Sequence, residues 1–246
     1  MTSVFDAAAV FDDDYLYFYE PLLSEERSDA EAELIWTLAG VQPGDRVLDL
    51  ASGHGRLSNR LAARGADVVG FDVTPSFLDR ARKDAAAAGL DVEYVQGDMR
   101  KLPWTAEFDV VVNWFTAFGY FDDDTDRAIL AGVNHALRPH GRFLLEMNHG
   151  ANLMRRFLPA ITHRVGNDTV FDEHTYDPIT GRVGTRRTVL RDGRVRTFEF
   201  SVRVFAFPEL RDWLHAAGFS TVNAFDGSGA DLSDVSARMI VRATKA

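Results

Sequence analysis

The stretch Val47-Leu48-Asp49-Leu50-Ala51-Ser52-Gly53-His54-Gly55, running on through Leu57 and Leu61 to Val68-Val69-Gly70-Phe71-Asp72, decides the fold. Arg46 to Leu50 reads as a short apolar strand. The loop after it has two closely spaced glycines, which let backbone approach a ligand. It also opens a helix whose first N–H groups are free to donate. That helix carries Leu57 and Leu61 and stops near Gly65; Val68 to Phe71 is the next strand, ending on Asp72. A glycine loop alone suits nicotinamide and flavin cofactors too. Two residues narrow the choice. Ser58 stands where a dinucleotide fingerprint has its third glycine. Asp49 lies in the strand just before the loop, where its charge repels a pyrophosphate and favours an ammonium group.

The same alternation continues on both sides. Upstream, Ala30 to Ala39 is helical in pattern, with Leu34, Ile35 and Leu38 on one side and a stop at Gly40. Downstream, Thr74-Pro75 reads as an N-cap with proline at the first helical position, and that helix runs to Gly89. Val92 to Gln96 is a third strand, closed by Gly97-Asp98, and Phe108 to Trp114 a fourth, apolar enough to be buried on both faces. Asp122 to Asp124 cap a helix with Ile129, Leu130, Val133 and Leu137, and the turn Arg138 to Gly141 leads into Arg142–Met147, the fifth strand. Strand and helix in alternation predict a parallel, doubly wound sheet with its ligand at the carboxyl ends of the strands.

Between residues 163 and 206 the helical period is lost. Turn signals stand at Asp177-Pro178 to Gly181 and at Asp192-Gly193, and Phe198, Phe200, Val202 and Val204 alternate with polar residues. This is an inserted antiparallel wing. Pro208 to Ala217 is one more helix, and Phe219–Phe225 and Met239–Ala243 are two last strands. The expectation is an α/β fold: a doubly wound, seven-stranded Rossmann-like sheet with an antiparallel β wing.

Composition excludes several functions. The chain has 246 residues, no cysteine and a formal net charge of −10. Without cysteine there are no disulfides, thiolate zinc sites or cysteine nucleophiles. The negative field opposes nucleic acid and anionic membrane, and the basic pairs Arg155-Arg156 and Arg186-Arg187 are modest. No apolar run reaches the roughly 20 residues of a spanning helix. The acidic N-terminal stretch does not read as a leader, so a cytoplasmic location is expected.

Three acidic residues end successive strands. Asp72 is placed to accept both hydroxyls of a ribose. Asp98, in Gly97-Asp98-Met99, can accept an adenine amino group while Met99 packs the purine. Any one of them is a common cap or loop residue. With Asp49 they form a far more specific series.

Here the chain resembles a known family. VLDLASGHGRLSNRLAARGADVVGFDVTPSFLDRAR, residues 47–82, is similar to the cofactor-binding region of class I S-adenosylmethionine-dependent methyltransferases. YVQGDMRKLPWTAEFDVVVNWFTAFGYF and LRPHGRFLLE are similar to that family's third to fifth strands, so the likeness spans about residues 44–148. QGDMR and FTAFGY resemble its small-molecule tailoring branch, which includes amino-sugar and glycine/sarcosine-type N-methyltransferases. Ser52-Gly53-His54 departs from the family's usual Cys-Gly-Thr or Cys-Gly-Ser. Serine is isosteric with cysteine, and the bulkier His54 is placed to touch a methionine carboxylate.

The resemblance implies S-adenosylmethionine as cofactor and S-adenosylhomocysteine as product. The cofactor contacts expected are Asp49, Ser52, Gly53, Gly55, Asp72, Val73, Asp98, Met99, Asn113 and Tyr15. It also implies that Tyr15-Leu16-Tyr17-Phe18-Tyr19 folds over the cofactor as a lid, with a core-packed helix face as the alternative. The chain then divides into a lid segment (1–30), a cofactor-binding core (31–150), the wing (151–207), and a C-terminal helix with the last two strands (208–246). The wing either roofs the substrate through Phe198 and Phe200 or pairs across a homodimer axis. Asn113-Trp114-Phe115-Thr116 lacks the prolines of the corresponding motif in DNA amino-methyltransferases.

Methyl transfer to a sulfonium's attacker is an in-line displacement with a neutral leaving group, so alignment is the main task. A base is needed only for a protonated nucleophile. The candidates for base or acceptor contact are His149 after the fifth strand, His174 in the wing, and Tyr19. Asn113, Glu146 and His149 have the donor types of a hard metal site, but no metal is expected. The reading is transfer to a nitrogen or oxygen of a small-molecule acceptor, in secondary metabolism. The alternatives are a nicotinamide oxidoreductase on the same sheet and a protein that binds S-adenosylmethionine without transferring its methyl group.

Overall fold

A computed structural model describes residues 5–246; the first four positions of the expected lid segment lie outside the described residues. Phe108-Asp109-Val110-Val111-Val112-Asn113 has apolar side chains pointing to both sides, which only a central strand can bury. It lies in the middle of a seven-stranded sheet. In spatial order the strands are β10 (Phe219–Asp226), β11 (Arg238–Lys245), β5 (Leu137–Asn148), β4 (Phe108–Asn113), β1 (Arg46–Leu50), β2 (Asp67–Asp72) and β3 (Val92–Gln96).

Helices cover both faces. Val111, Phe143 and Leu145 pack against α6 (Asp123–Ala136) and α8 (Phe207–Ala216). Val110, Val112 and Leu144 pack against α3 (Glu25–Ala39) and α4 (Ser58–Ala63). A fifth helix, α5 (Pro75–Ala87), covers the β2–β3 end. The period-2 alternation of each strand thus feeds two separate cores.

Several local expectations change. The sheet is mixed, because β11 runs antiparallel to both β5 and β10. No helix separates β10 from β11, and a plain loop can join only antiparallel neighbours. Helix α3 starts at Glu25, five residues before the expected position, with Ser24 as its cap, Oγ accepting from the Arg27 N–H at 3.3 Å; the polar first turn hid that start. Thr74 takes the cap position of α5, yet its hydroxyl does not cap the helix and donates instead to the Phe11 carbonyl. Asp122 does cap α6. The short helix α7 (Gly150–Arg155) has no signature in the sequence.

The wing is a four-stranded antiparallel sheet, β6 (Ala160–Val165), β7 (Asp168–Asp177), β8 (Arg182–Arg191) and β9 (Arg194–Arg203). Both expected turns are there, and Asp192 and Gly193 take the positive φ values that an Asp-Gly hairpin needs. The N-terminal segment, α1 (Ala7–Val10) and α2 (Asp13–Tyr19), lies against the wing's inner face, where Phe18 is buried with Val170 and Val189. No helix among the described residues is long and apolar enough to cross a membrane.

Candidate functional site

The carboxyl ends of β1, β2, β3 and β4 meet the lid segment around a cavity of about 460 Å³. Asp49, Ser52, Gly53, Asp72, Val73, Asp98, Met99, Tyr15 and Tyr19 all line it. The loop after β1 is set by backbone: the N–H groups of Ala51 and Ser52 donate to the Phe71 carbonyl, and Gly53 takes a φ of 57°. A left-handed residue with open space beside it is suited to glycine and leaves room for a ligand.

The acidic strand ends differ in environment. Asp49 is buried, accepts from Ser58 Oγ at 2.5 Å, and is pushed up to about 6 by burial. A cation beside it relieves that cost. Asp72 accepts from the Gly53 and Thr74 N–H groups, each at 2.8 Å, and burial again raises its pKa. Asp98 is clasped by Arg100, Nε reaching both oxygens at 2.9 and 3.0 Å, and this keeps its carboxyl below the usual range. Ser52 lines the cavity, while its Oγ is buried and has no hydrogen-bond partner in the protein. His54 lines it too, held by burial below the ordinary imidazole range and so neutral at neutral pH.

Over this floor lies α2. Its two faces have different surroundings. Tyr15 and Tyr19, one turn apart, stack at 4.5 Å and face the cavity, while Phe18 and Tyr17 face the wing. Arg187 of β8 donates to Tyr19 Oη at 2.6 Å and pairs with Asp172 at 2.7 Å, all three largely buried. At the far end Asp12 and Asp14 meet Arg196 at 2.6 and 3.1 Å, and Asp14 meets Arg191 at 2.8 Å. Phe115, Tyr120 and Phe121 complete the wall; Phe118, from the same aromatic run, is in the core instead. Burial raises the Tyr15, Tyr19 and Tyr120 phenols, so they are protonated at any physiological pH.

Four sequence candidates are not among the lining residues. Gly55 is needed for packing: a Cβ there would sit 2.2 Å from Tyr94 Oη and 2.7 Å from Ala81 Cβ. Asn113 is buried and donates to the Leu50 carbonyl at 2.9 Å, tying β4 to β1. His149 is buried, with Nδ1 3.0 Å from the Ser236 carbonyl, because the chain before β11 covers it. His174 sits on β7, 3.1 Å from Thr185 Oγ1. Phe198 packs on Phe18, and Phe200 lies between Tyr120 and Arg187; neither lines the cavity. Among the described residues no three His, Cys, Asp or Glu side chains are grouped to hold a metal.

Two lining features escape a reading of the sequence. Arg56, next to Gly55 in the loop, is nearly buried and pairs with Glu31 at 2.6 Å; its place beside the second glycine was the available signal. Phe115 and Thr116, after β4, have φ of 65° and 56°. Left-handed backbone costs a side-chain-bearing residue on the order of 1–3 kcal/mol, so two in succession require support from elsewhere. Nothing in Phe-Thr announces it.

Known proteins agree with this geometry. Residues 47–141 match a family model described as a methyltransferase domain. An uncharacterised protein of Mycobacterium bovis is 29% identical over 181 residues, 70% of this chain; the match spans 64% of that relative's length. The likeness in fold extends past the matched stretch. An S-adenosylmethionine-dependent methyltransferase from Clostridium acetobutylicum superposes with a TM-score of 0.79 at 16% identity, covering 95% of this chain and 98% of its own. An amino pentose methyltransferase from Micromonospora echinaspora superposes with a TM-score of 0.68 at 22% identity, covering 96% and 98%.

Proposed function

We propose that this chain transfers a methyl group from S-adenosylmethionine to a nitrogen or oxygen of a small-molecule acceptor in the cytoplasm, with S-adenosylhomocysteine as product. One observation carries the reading: the carboxylates ending β1, β2 and β3 open onto a single cavity. Its volume, about 460 Å³, is within the usual range for a small-molecule site. The residues fit the group end to end. Asp49 answers an ammonium, Arg56 a carboxylate, and Asp72 a pair of ribose hydroxyls. Met99 and Asp98 frame a purine, and Ser52 and Gly53 shape the floor beneath it.

When bound, S-adenosylmethionine would supply an electrophilic methyl carbon on a sulfonium, with neutral S-adenosylhomocysteine as the leaving group. The protein's part is alignment and exclusion of water. Tyr15, Tyr19 and Tyr120, kept protonated by burial, offer hydrogen bonds to an acceptor on the lid side. A roofed cavity and a net charge of −10 favour a small molecule over nucleic acid.

The test is a calorimetric titration with S-adenosylhomocysteine, wild type against Asp72→Ala, from pH 5 to 8. Wild type should bind in the micromolar range, and the variant at least about 100-fold more weakly, since two charge-assisted bonds are lost. Affinity should fall below pH about 6, where Asp49 takes up its proton. Wild-type protein freed of co-purified ligand that binds nothing would sink the assignment.

A further inference from the structure

The left-handed pair Phe115–Thr116 is held by one residue of the neighbouring strand. The Phe115 N–H donates to Glu146 Oε2 at 2.8 Å, and the Thr116 N–H donates to the Glu146 carbonyl at 3.1 Å. Glu146 is held in turn by Arg238, the first residue of β11, which donates to both of its carboxylate oxygens. The same guanidinium reaches Thr116 Oγ1 at 2.9 Å and Asn148 Oδ1 at 2.6 Å. Glu146 is buried, and the far side of the loop is closed by Arg56 and Arg27, whose guanidinium carbons lie 5.6 and 5.3 Å from the Phe115 ring centre. Phe115, Thr116 and Ala117 all line the cavity.

We infer that Glu146 and Arg238 are positioning residues, which hold Phe115 and Thr116 in left-handed backbone so that the loop after β4 forms the ligand-facing wall. Neither side chain lines the cavity. Their effect on a ligand passes through the backbone of the two strained residues. Relaxation of either residue to the extended or right-handed region redirects the chain and moves that wall. This rests on the methyl-transfer reading for the identity of the ligand, and on backbone geometry for everything else.

A purely structural ion pair and a positioning pair differ in one respect. If the pair's task is to impose positive φ, a glycine in the loop removes the need for it, because glycine adopts that region freely. The experiment measures S-adenosylhomocysteine affinity by calorimetry, with thermal unfolding alongside, for wild type, Glu146→Ala, Thr116→Gly and the double variant. Glu146→Ala should weaken binding about tenfold, a loss within the strain released. In the Thr116→Gly background the same change should cost no more than about threefold. Should Glu146→Ala not fold, Glu146→Gln and Arg238→Gln, each with and without Thr116→Gly, carry the same comparison. Variants that bind as wild type does, or a loss that glycine leaves intact, overturn the inference alone. A wild type that binds nothing takes down the methyl-transfer reading and this inference with it.

Discussion

The seven-stranded sheet and the wing bury different chemistry. Both faces of the large sheet lie under helices, and the side chains pointing inward are mostly Val, Leu, Ile and Phe. The wing covers one face only. Under α2 it buries two valines beside a complete ion pair, Arg187 with Asp172. An apolar side chain in the sheet contributes by leaving water, about 1.5–3 kcal/mol each, whatever its neighbour's identity. A buried ion pair contributes through its match, since loss of either member strands the other charge. Volume therefore locates the sheet, and direction locates the lid. A helix that has to sit over the cavity at one angle is better fixed by a guanidinium fork than by an apolar face that allows sliding.

The sharpest way to break this comparison is to remove Arg187. Arg187→Met should cost about 3–5 kcal/mol in urea denaturation, and Arg187→Met with Asp172→Leu should recover most of it. Leu144→Ala in the sheet should cost about 2–5 kcal/mol, with no second change of that kind to restore it. If Arg187→Met costs under about 1 kcal/mol, the pair does not anchor the lid.

A smaller effect sharpens the contrast where the two regions meet. Asp126 on α6 is fully buried, with Arg182 of the wing 3.7 Å away and no hydrogen bond to either oxygen. Burial outweighs that distant charge and pushes it up to about 7. The folded state thus holds this proton more tightly than the unfolded chain, whose carboxyl titrates near about 4. Stability from this group is present at low pH and is lost as pH rises from about 4 through 7. Unfolding midpoints between pH 4.5 and 8 should show that fall in wild type and a flatter profile in Asp126→Asn. An unchanged slope would place the titration elsewhere. The smallest effect belongs to the wing's outer ion pairs. Arg196→Ala should cost under about 1 kcal/mol, and less still at high salt, because the partners are partly exposed. A larger loss would make this rim the anchor in place of Arg187.

Legibility followed the range of the interactions. The limits of β1 and β3 could be read from the sequence because apolar runs and glycine stops are local signals. Asp49, Asp72 and Asp98 were legible as strand ends, and strand ends in such a sheet face one another by topology. His149 misled for the opposite reason. Its position after β5 was read correctly, but Ser236 and Ala237, far along the chain, fold over it. Arg186-Arg187 read only as a modest basic pair, and it took the alternation along β8 to turn Arg187 inward and leave Arg186 exposed. Left-handed Phe115 and Thr116 left no trace, since their support lies in two other strands.

Strand β11 is inserted between β5 and β10. Proteins are synthesised from the amino end, so the parallel half of the sheet can pair while β11 is still inside the ribosome. Throughout that interval β5 is an open edge carrying Phe143 and Leu145, the sort of edge that recruits strands from other chains. The loop at Phe115 and Thr116 has no Arg238 to brace it during the same interval. Cavity and aggregation safety are therefore completed by one event, the arrival of the last hairpin, and slowing translation before residue 219 should expose both gaps for longer.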